Sequence, residues 1–592
     1  MTDSQRNDGF APIEGYAVLG DGRSVALMDR NGSIDWWPLP ELDSPPVLSR
    51  LLDPDGGGRF TLAPSQPYEV ERHYIENTNV VETTFMTATG VARITAALTV
   101  GSAGRLPSTE LAQRIDVLSG FVDFEWVLVP GNRFGQANPW VRERDGHPVV
   151  TIEDQMIGLV LDGLPRALTT AQRVSGAARL QEGARALVAV VATDEEPLFL
   201  PPPSAIQARL DRTIQSWRRW SDLVLSDGPW AASVHRSALA LKTLLAEQSG
   251  AIAAAATTSL PERVGGSKNW DYRYAWVRDS SFTLDALINL GLAEEVHGAV
   301  SWLLRAIQDN GGDLHVFYTL HGKLAEHEAE LDIPGWRDSQ PVRSGNSASG
   351  QLQLGAYGDL FDTIHRYCAE GHLIDAGTGH LLADLADRCC DSWHKRDSGM
   401  WELQGQEHYT ISKIGCWVAL DRAVQLAEAQ QIPGLQVERW RAGAEEIRTW
   451  VNTYCWSETK RSYTFYAGTD KLDAAVLLAG RTGFERGPRL ASTIDAVAAE
   501  LGTGPFVYRY SGMEKEEGAF VACTFWMVDA LVHTGQTDRA RQLMEKAVSL
   551  TNDVGLLSEQ IDPATGEFLG NMPQGLSHLA LINAAFALQR AG

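Results

Sequence analysis

The hydrophobic period of this chain changes once, at Pro201–Ser204 (PPPS), and that change rules out a single repeating architecture. From Gly15 to about Val191 the apolar residues come in short, mostly alternating runs separated by turn residues. RSVALMDRNGSIDWWPLP is two such runs joined by Asn31 and Gly32, a two-residue hairpin signal. RFTLAP follows the turn-forming DPDGGG of Asp53–Gly58. FVDFEWVLVP (Phe121–Pro130) alternates and then becomes fully apolar, and HPVVTI and ARALVAVVAT read as further short strands. Many short strands with turns between them predict an antiparallel β-sandwich.

PPPS caps a helix, AIQARLDRTIQSWRRWSDLV, and helical patterns then follow one another to the end. About twelve segments are predicted, near 232–248, 280–291, 294–309, 350–369, 375–395, 410–431, 434–454, 472–480, 488–502, 518–534, 537–551 and 575–590. In hairpin pairs they can close into a ring of inner and outer helices; an open solenoid or two bundles satisfy the same periodicity. GAFVACTFWMVDALVHTG and HLALINAAFAL are apolar on nearly all sides, as the inner helices of a ring would be. The expected organisation is a sandwich over residues 1–200, a linker helix over 201–230 and a helical domain over 231–592.

Composition removes several function classes. At 592 residues the chain is too long for one core. A net charge of −24 without a Lys/Arg run argues against a nucleic-acid partner. No apolar stretch reaches the ~18 residues of a membrane span, and the N-terminus has neither the basic start nor the apolar core of a signal peptide. The cysteines at 368, 389, 390, 416, 455 and 523 form no CxxC pair, and four lie in apolar helical patterns, as buried thiols do. A reduced, cytoplasmic protein is expected. HEAE (His327–Glu330) lacks the second His of a zincin helix, so neither a metal nor a cofactor is expected. Self-association into a homo-oligomer is left open.

Chemistry-bearing residues crowd at helix entrances. Asn269–Ser280 holds two Trp, two Tyr, two Arg and two Asp directly before an apolar helical pattern. Asp279 is a candidate N-cap there. Packed aromatics with a cap and an ion pair would explain this cluster alone. Flat rings that stack on pyranose faces, with Arg and Asp gripping hydroxyls, explain it equally. Similar clusters recur at Ile333–Gln351, Ser398–Lys413 and Gly555–Leu581, and four are hard to ascribe to capping. Glycosidic hydrolysis needs one protonated and one ionised carboxyl. Glu402 suits the acid because burial against Trp401 would raise its pKa. Glu559 is a candidate base, although nothing in the sequence spacing pairs the two.

SKNWDYRYAWVRDSSFTL, PVRSGN, WELQG with HYTISKIGCWVALDRA, EEGAFVACTFW and LLSEQIDPATGEFLGNMPQGLSHLALINAA resemble blocks of glycoside hydrolase family fifteen, the glucoamylases and bacterial trehalase-like proteins. PIEGYAVLGDGRSVALMDRNGSIDWWPLPELDSP resembles the N-terminal domain of the bacterial branch. The resemblance implies an N-terminal β-sandwich followed by a C-terminal (α/α)6 barrel. It implies inverting release of glucose from a terminal α-glucosidic bond, with Glu402 as general acid and Glu559 as general base. It implies further that Arg278 and Asp279 hold the terminal glucose, that Tyr272, Trp276 and Trp401 line its pocket, and that Arg509 also contacts it. Trp336 would belong to the loop that shapes the site beyond the cleaved bond. That loop departs from the family at Asp338 and Gln340, which puts the leaving-group preference in question. With no starch-binding domain visible, a small soluble substrate is expected, such as trehalose or a malto- or isomalto-oligosaccharide. A disaccharide phosphorylase of similar architecture and a non-catalytic sugar-binding relative are the competing readings.

Overall fold

The computed structural model describes residues 6–100, 107–325 and 328–591; His327 of the HEAE stretch lies outside the described residues. The N-terminal part is two antiparallel sheets that share one strand, Ser108–Val129. Its first half pairs with Gly90–Leu98 and Arg185–Asp194, and its second half with Arg59–Pro64 and Val174–Gln181. The strand passes from one sheet to the other at Gly120, whose φ of +65° no β-branched residue would tolerate. A Cβ there would lie 2.2 Å from the Thr89 carbonyl oxygen. In the second half Val122, Phe124, Trp126 and Leu128 are buried at every second position, and this is what turns one face into the core. The predicted hairpin forms between Val25–Met28 and Ser33–Pro38, with Gly32 at φ +84° and the Asp29 carboxylate accepting the Asn31 and Ser33 N–H groups.

Helix α1 (Pro203–Ser221) packs on the sandwich strands. The remaining helices are α2 (Ala231–Leu244), α3 (Val277–Asn289), α4 (Ala293–Asp309), α5 (Gly355–Ala369), α6 (Ala376–Ser392), α7 (Thr410–Glu428) and α8 (Val437–Tyr454). They continue with α9 (Ala479–Thr482), α10 (Pro488–Glu500), α11 (Val521–His533), α12 (Thr537–Ala547) and α13 (Gly575–Ala591). Each of α3, α5, α7, α9, α11 and α13 packs against the next, and α13 returns to α3, so the inner layer closes. Helices α4, α6, α8, α10, α12 and α2 form the outer layer. This is an (α/α)6 barrel; the solenoid and two-bundle alternatives are excluded by the α13–α3 contact. Helices α11 and α13 are buried almost all round, as inner helices must be. No helix among the described residues is long and apolar enough to cross a membrane.

Two local expectations are corrected. Asp279 is not an N-cap: Ala275–Trp276 pairs as a short strand with Phe317–Tyr318, so the helix begins directly after it and Asp279 lies inside the first turn. A carboxylate there still faces the positive end of the helix dipole. The segment at 472–480 is a 3-10 helix, Ala474–Leu478, continued by the single α turn of α9. It starts at Asp473, whose side chain accepts the Ala475 N–H, and stops at Gly483 in the left-handed region.

The inner wall requires backbones to touch. Helices α5 and α7 cross so closely that a Cβ on Gly358 would lie 2.4 Å from the Gly415 carbonyl oxygen. Gly358→Val should therefore force the two helices apart, at a cost of about 1–3 kcal/mol or more. A lower thermal unfolding midpoint in calorimetry is the expected result, and an unchanged midpoint would contradict the close approach.

Candidate active site

Four helix entrances converge on a cavity of about 380 Å³ at one end of the barrel. The entrance to α3 contributes Tyr272, Arg278 and Asp279, and that to α7 contributes Met400, Trp401 and Glu402. The entrance to α11 supplies Arg509 and Phe520, and that to α13 supplies Glu559, Gln574 and Leu576. A larger cavity of about 720 Å³ lies behind Arg278 and Met400, lined mainly by residues of α3, α5, α7 and α9.

The segment before α3 divides its labour by position. Asp271 and Arg273 are fully buried against each other, Nη2 to Oδ2 at 2.7 Å, and Arg273 donates to the Ser44 carbonyl of the sandwich. Trp276 is also fully buried, stacked on Phe317 at 4.5 Å with Tyr272 at its edge. It therefore stands behind the cavity and not in its lining. Its indole N–H donates to Glu402 Oε1 at 2.7 Å. Arg278 bridges Asp279 at 3.0 Å and Glu402 at 3.5 Å, and also donates to the Met400 carbonyl.

Glu402 is held in an unusual backbone state, with φ +60°. Such a residue costs roughly 1–3 kcal/mol and persists only where its surroundings fix it. Here the Leu403 N–H closes a turn to Ser398, and the Gln351 amide donates to the Glu402 carbonyl. The preceding Trp401 is fixed by its N–H to Asp473 Oδ1 at 2.9 Å and by the rings of Phe520 and Trp526. Burial pushes Asp473 up to about 7. Burial likewise raises the Glu402 carboxyl above its ordinary range, tempered by Arg278 and by the Trp276 N–H.

Glu559 precedes a tight three-strand unit in which Gln560–Ile561 lies between Ala519–Phe520 and Phe568–Leu569. Its carboxylate accepts the Asn571 N–H at 3.3 Å. Asn571 is itself immobilised: its Oδ1 accepts from Thr257 and its Nδ2 donates to the Trp270 carbonyl. Gly570, at φ +69°, makes room, because a Cβ there would sit 2.4 Å from Glu559 Oε2. Burial raises Glu559 to about 7, against the pull of Arg509 and the Asn571 N–H.

Arg509 lines the cavity but is not free. It binds Glu517 through Nε and Nη2 and Glu262 Oε2 at 2.7 Å. Lys268 adds a second cation on Glu517 at 2.9 Å. Glu262 is buried and burial drives its carboxyl well above the usual range.

Of the sequence candidates, Tyr272, Arg278, Asp279, Trp401, Glu402, Arg509 and Glu559 share the cavity. Trp276 supports it from behind. Trp336 does not reach it: its ring is buried and donates to the Ala11 carbonyl of the N-terminal segment. Sequence reasoning missed Ala254, Met400, Phe520, Gln574 and Leu576 in the lining, and Glu262, Glu517 and Asn571 behind it. Phe520 and Gln574 lie in the EEGAF and MPQG stretches of blocks already singled out; nothing local marks Glu262.

Two buried carboxyls from different helix entrances, on one cavity with an Arg–Asp pair, are equipped for general acid–base chemistry on a small polar ligand. The family profile described as "Glycosyl hydrolases family 15" matches residues 229–586, and that described as "Trehalase-like, N-terminal" matches residues 6–189. The chain is 34% identical to a trehalase of Mycolicibacterium smegmatis over 98% of its own length and 92% of that protein's. It is 30% identical to a trehalase of Thermoplasma volcanium, covering 99% of this chain and 94% of that one. A bacterial glucoamylase complexed with acarbose has the same fold, with a TM-score of 0.71 at 13% identity over 100% of this chain and 96% of that one. The chain is a glycoside hydrolase and belongs to glycosyl hydrolase family 15.

Proposed function

We propose that this protein is an inverting, exo-acting hydrolase of a small α-glucoside, with trehalose the first candidate. The observation that carries the reading is the presence of Glu402 and Glu559 on one cavity with the Arg278–Asp279 pair of the α3 entrance. The trehalase relatives, which match over nearly the whole chain, favour trehalose among α-glucosides. In this reading Glu402 protonates the glycosidic oxygen, and Glu559 takes a proton from the attacking water. Arg278 and Asp279 hold the terminal glucose. Burial raises Glu402, as suits a general acid, and raises Glu559 to about 7 as well, so the assignment of acid and base rests on the Trp401–Glu402 and Ser558–Glu559–Gln560 blocks and not on proton affinity. A phosphorylase would bring phosphate to the place of the water, where the Glu559 carboxylate repels it. A cytoplasmic setting belongs to the same reading, supported by six unpaired thiols.

Glu402→Gln should lower kcat on trehalose by about 10²–10⁴-fold. The loss should shrink for α-glucosyl fluoride, whose leaving group needs little protonation. Near-normal trehalose turnover by this variant would remove Glu402 from the role.

Inversion requires a water between base and anomeric carbon, so the first sugar released from an α-glucoside should be β-glucose. Proton NMR in early turnover reads the anomer directly; an α anomer overturns the mechanism. Glu559→Ala should abolish release, with added azide restoring part of the turnover.

Trp276→Phe removes the N–H that favours the ionised form of Glu402. Its carboxyl pKa then rises, the acid stays protonated to higher pH, and the alkaline limb of kcat/KM should move upward. A limb that stays in place or moves down contradicts this coupling.

A further inference from the structure

The base-bearing loop is anchored from outside the barrel. Glu559 lies between Asn552 and Phe568, and both of these are bound by one short segment of the sandwich domain. The Asn552 side-chain N–H₂ donates to the carbonyls of Glu14 and Tyr16, each at 2.9 Å. Its Oδ1 accepts the N–H groups of Val554 and Leu556, and its own backbone closes on Leu556. At the other flank the Phe568 N–H donates to Glu14 Oε2 at 3.3 Å. Next to Asn552, Asp553 receives a two-point contact from Arg72 at 3.0 and 2.6 Å. Glu14 thus holds one side of the loop with its backbone and the other with its carboxylate.

The segment that does this is anchored in the sandwich. Ile13 is fully buried, and the Tyr16 hydroxyl donates to Asp35 at 2.9 Å. Arg6 ties the same region to Asp29 and Asp35 of the sandwich. The turn Ile13–Gly15 packs directly on Phe568–Leu569, the strand paired with Gln560–Ile561. Any shift of the segment is therefore passed to the strand that begins one residue after Glu559.

We infer that Glu14 and Asn552 are positioning residues, through which the β-sandwich fixes the Glu559 carboxylate for attack by water. This rests on the reading of Glu559 as the general base. The sandwich domain then acts as part of the catalytic apparatus and not only as a folding partner. A misplacement on the order of 1 Å costs about 10²-fold in rate when geometry is the limiting factor, and substrate binding by Arg278 and Asp279 does not pass through this loop.

The test uses the full-length protein and α-glucosyl fluoride, whose hydrolysis needs the base but little help from the acid. Asn552→Ala and Glu14→Ala should lower kcat by ~10-fold or more with KM within about 3-fold. Glu14→Gln, which keeps an oxygen acceptor for Phe568, should retain most of kcat. Arg209→Ala serves as control: Arg209 of α1 donates to the Glu110 carboxylate of the sandwich, and neither touches the loop. It should lower the melting temperature without lowering kcat. In the Glu559→Ala background rescued by azide, adding Asn552→Ala should cost nothing further, because no carboxylate is left to position. Wild-type kcat for Asn552→Ala and Glu14→Ala, or an equal loss with and without Glu559, overturns the inference while leaving Glu559 as the base. Wild-type kcat for Glu559→Ala is a different failure: it removes the base itself, and the positioning role falls with it.

Discussion

Everything at the catalytic end depends on how closely the inner helices approach one another. A ring of six helices closes only if neighbouring backbones can touch where the radius is smallest, and α5 and α7 do so through glycines. Closure then fixes where the chain emerges. All inner helices run the same way, so the segments before α3, α7, α11 and α13 come out on one end and face one another. Residues separated by more than a hundred positions meet across a cavity of about 380 Å³ because the ring leaves them nowhere else to go. Rigid elements set below mobile loops are the usual way to hold reacting groups within tolerance.

That convergence crowds carboxyls. Glu402, Glu559, Asp473 and Glu262 all lie in or behind the site, and burial raises each of them. The two cations on Glu517, Arg509 and Lys268, offset part of this charge, and Arg278 does the same for Glu402. Backbone geometry completes the arrangement. Glu402 occupies the left-handed region, Gly570 leaves space for the Glu559 carboxylate, and Asn571, its side chain held by Thr257 and the Trp270 carbonyl, supplies its N–H. Strain and burial are concentrated around the two carboxyls of the site, and the surrounding packing carries their cost.

The sandwich is bound to the barrel at several points that bear on this end. Trp36 donates to the Ala256 carbonyl, Arg273 to Ser44, Trp336 to Ala11 and Arg72 to Asp553. Each contact ties a loop near the site to a strand or turn of the other layer. Trp336 is instructive: an aromatic in a catalytic block serves the interface between the two halves.

Much of this was written locally in the chain. The alternation of Val122, Phe124, Trp126 and Leu128, the Asn31–Gly32 turn and the all-round apolar stretches of α11 and α13 depend only on near neighbours, so periodicity reports them. The helix entrances were visible as clusters for the same reason. What the sequence could not fix by itself is which distant groups meet. Nothing in the spacing paired Glu402 with Glu559; the resemblance to known blocks did, and ring closure brings them to one cavity. Nor could local pattern tell that strand pairing at Trp276 moves Asp279 inside the helix, that Trp276 stands behind Glu402, or that Glu262 grips Arg509. Those outcomes were decided by burial and by hydrogen bonds between segments far apart in the chain, which exist only once the barrel has closed and the sandwich has docked.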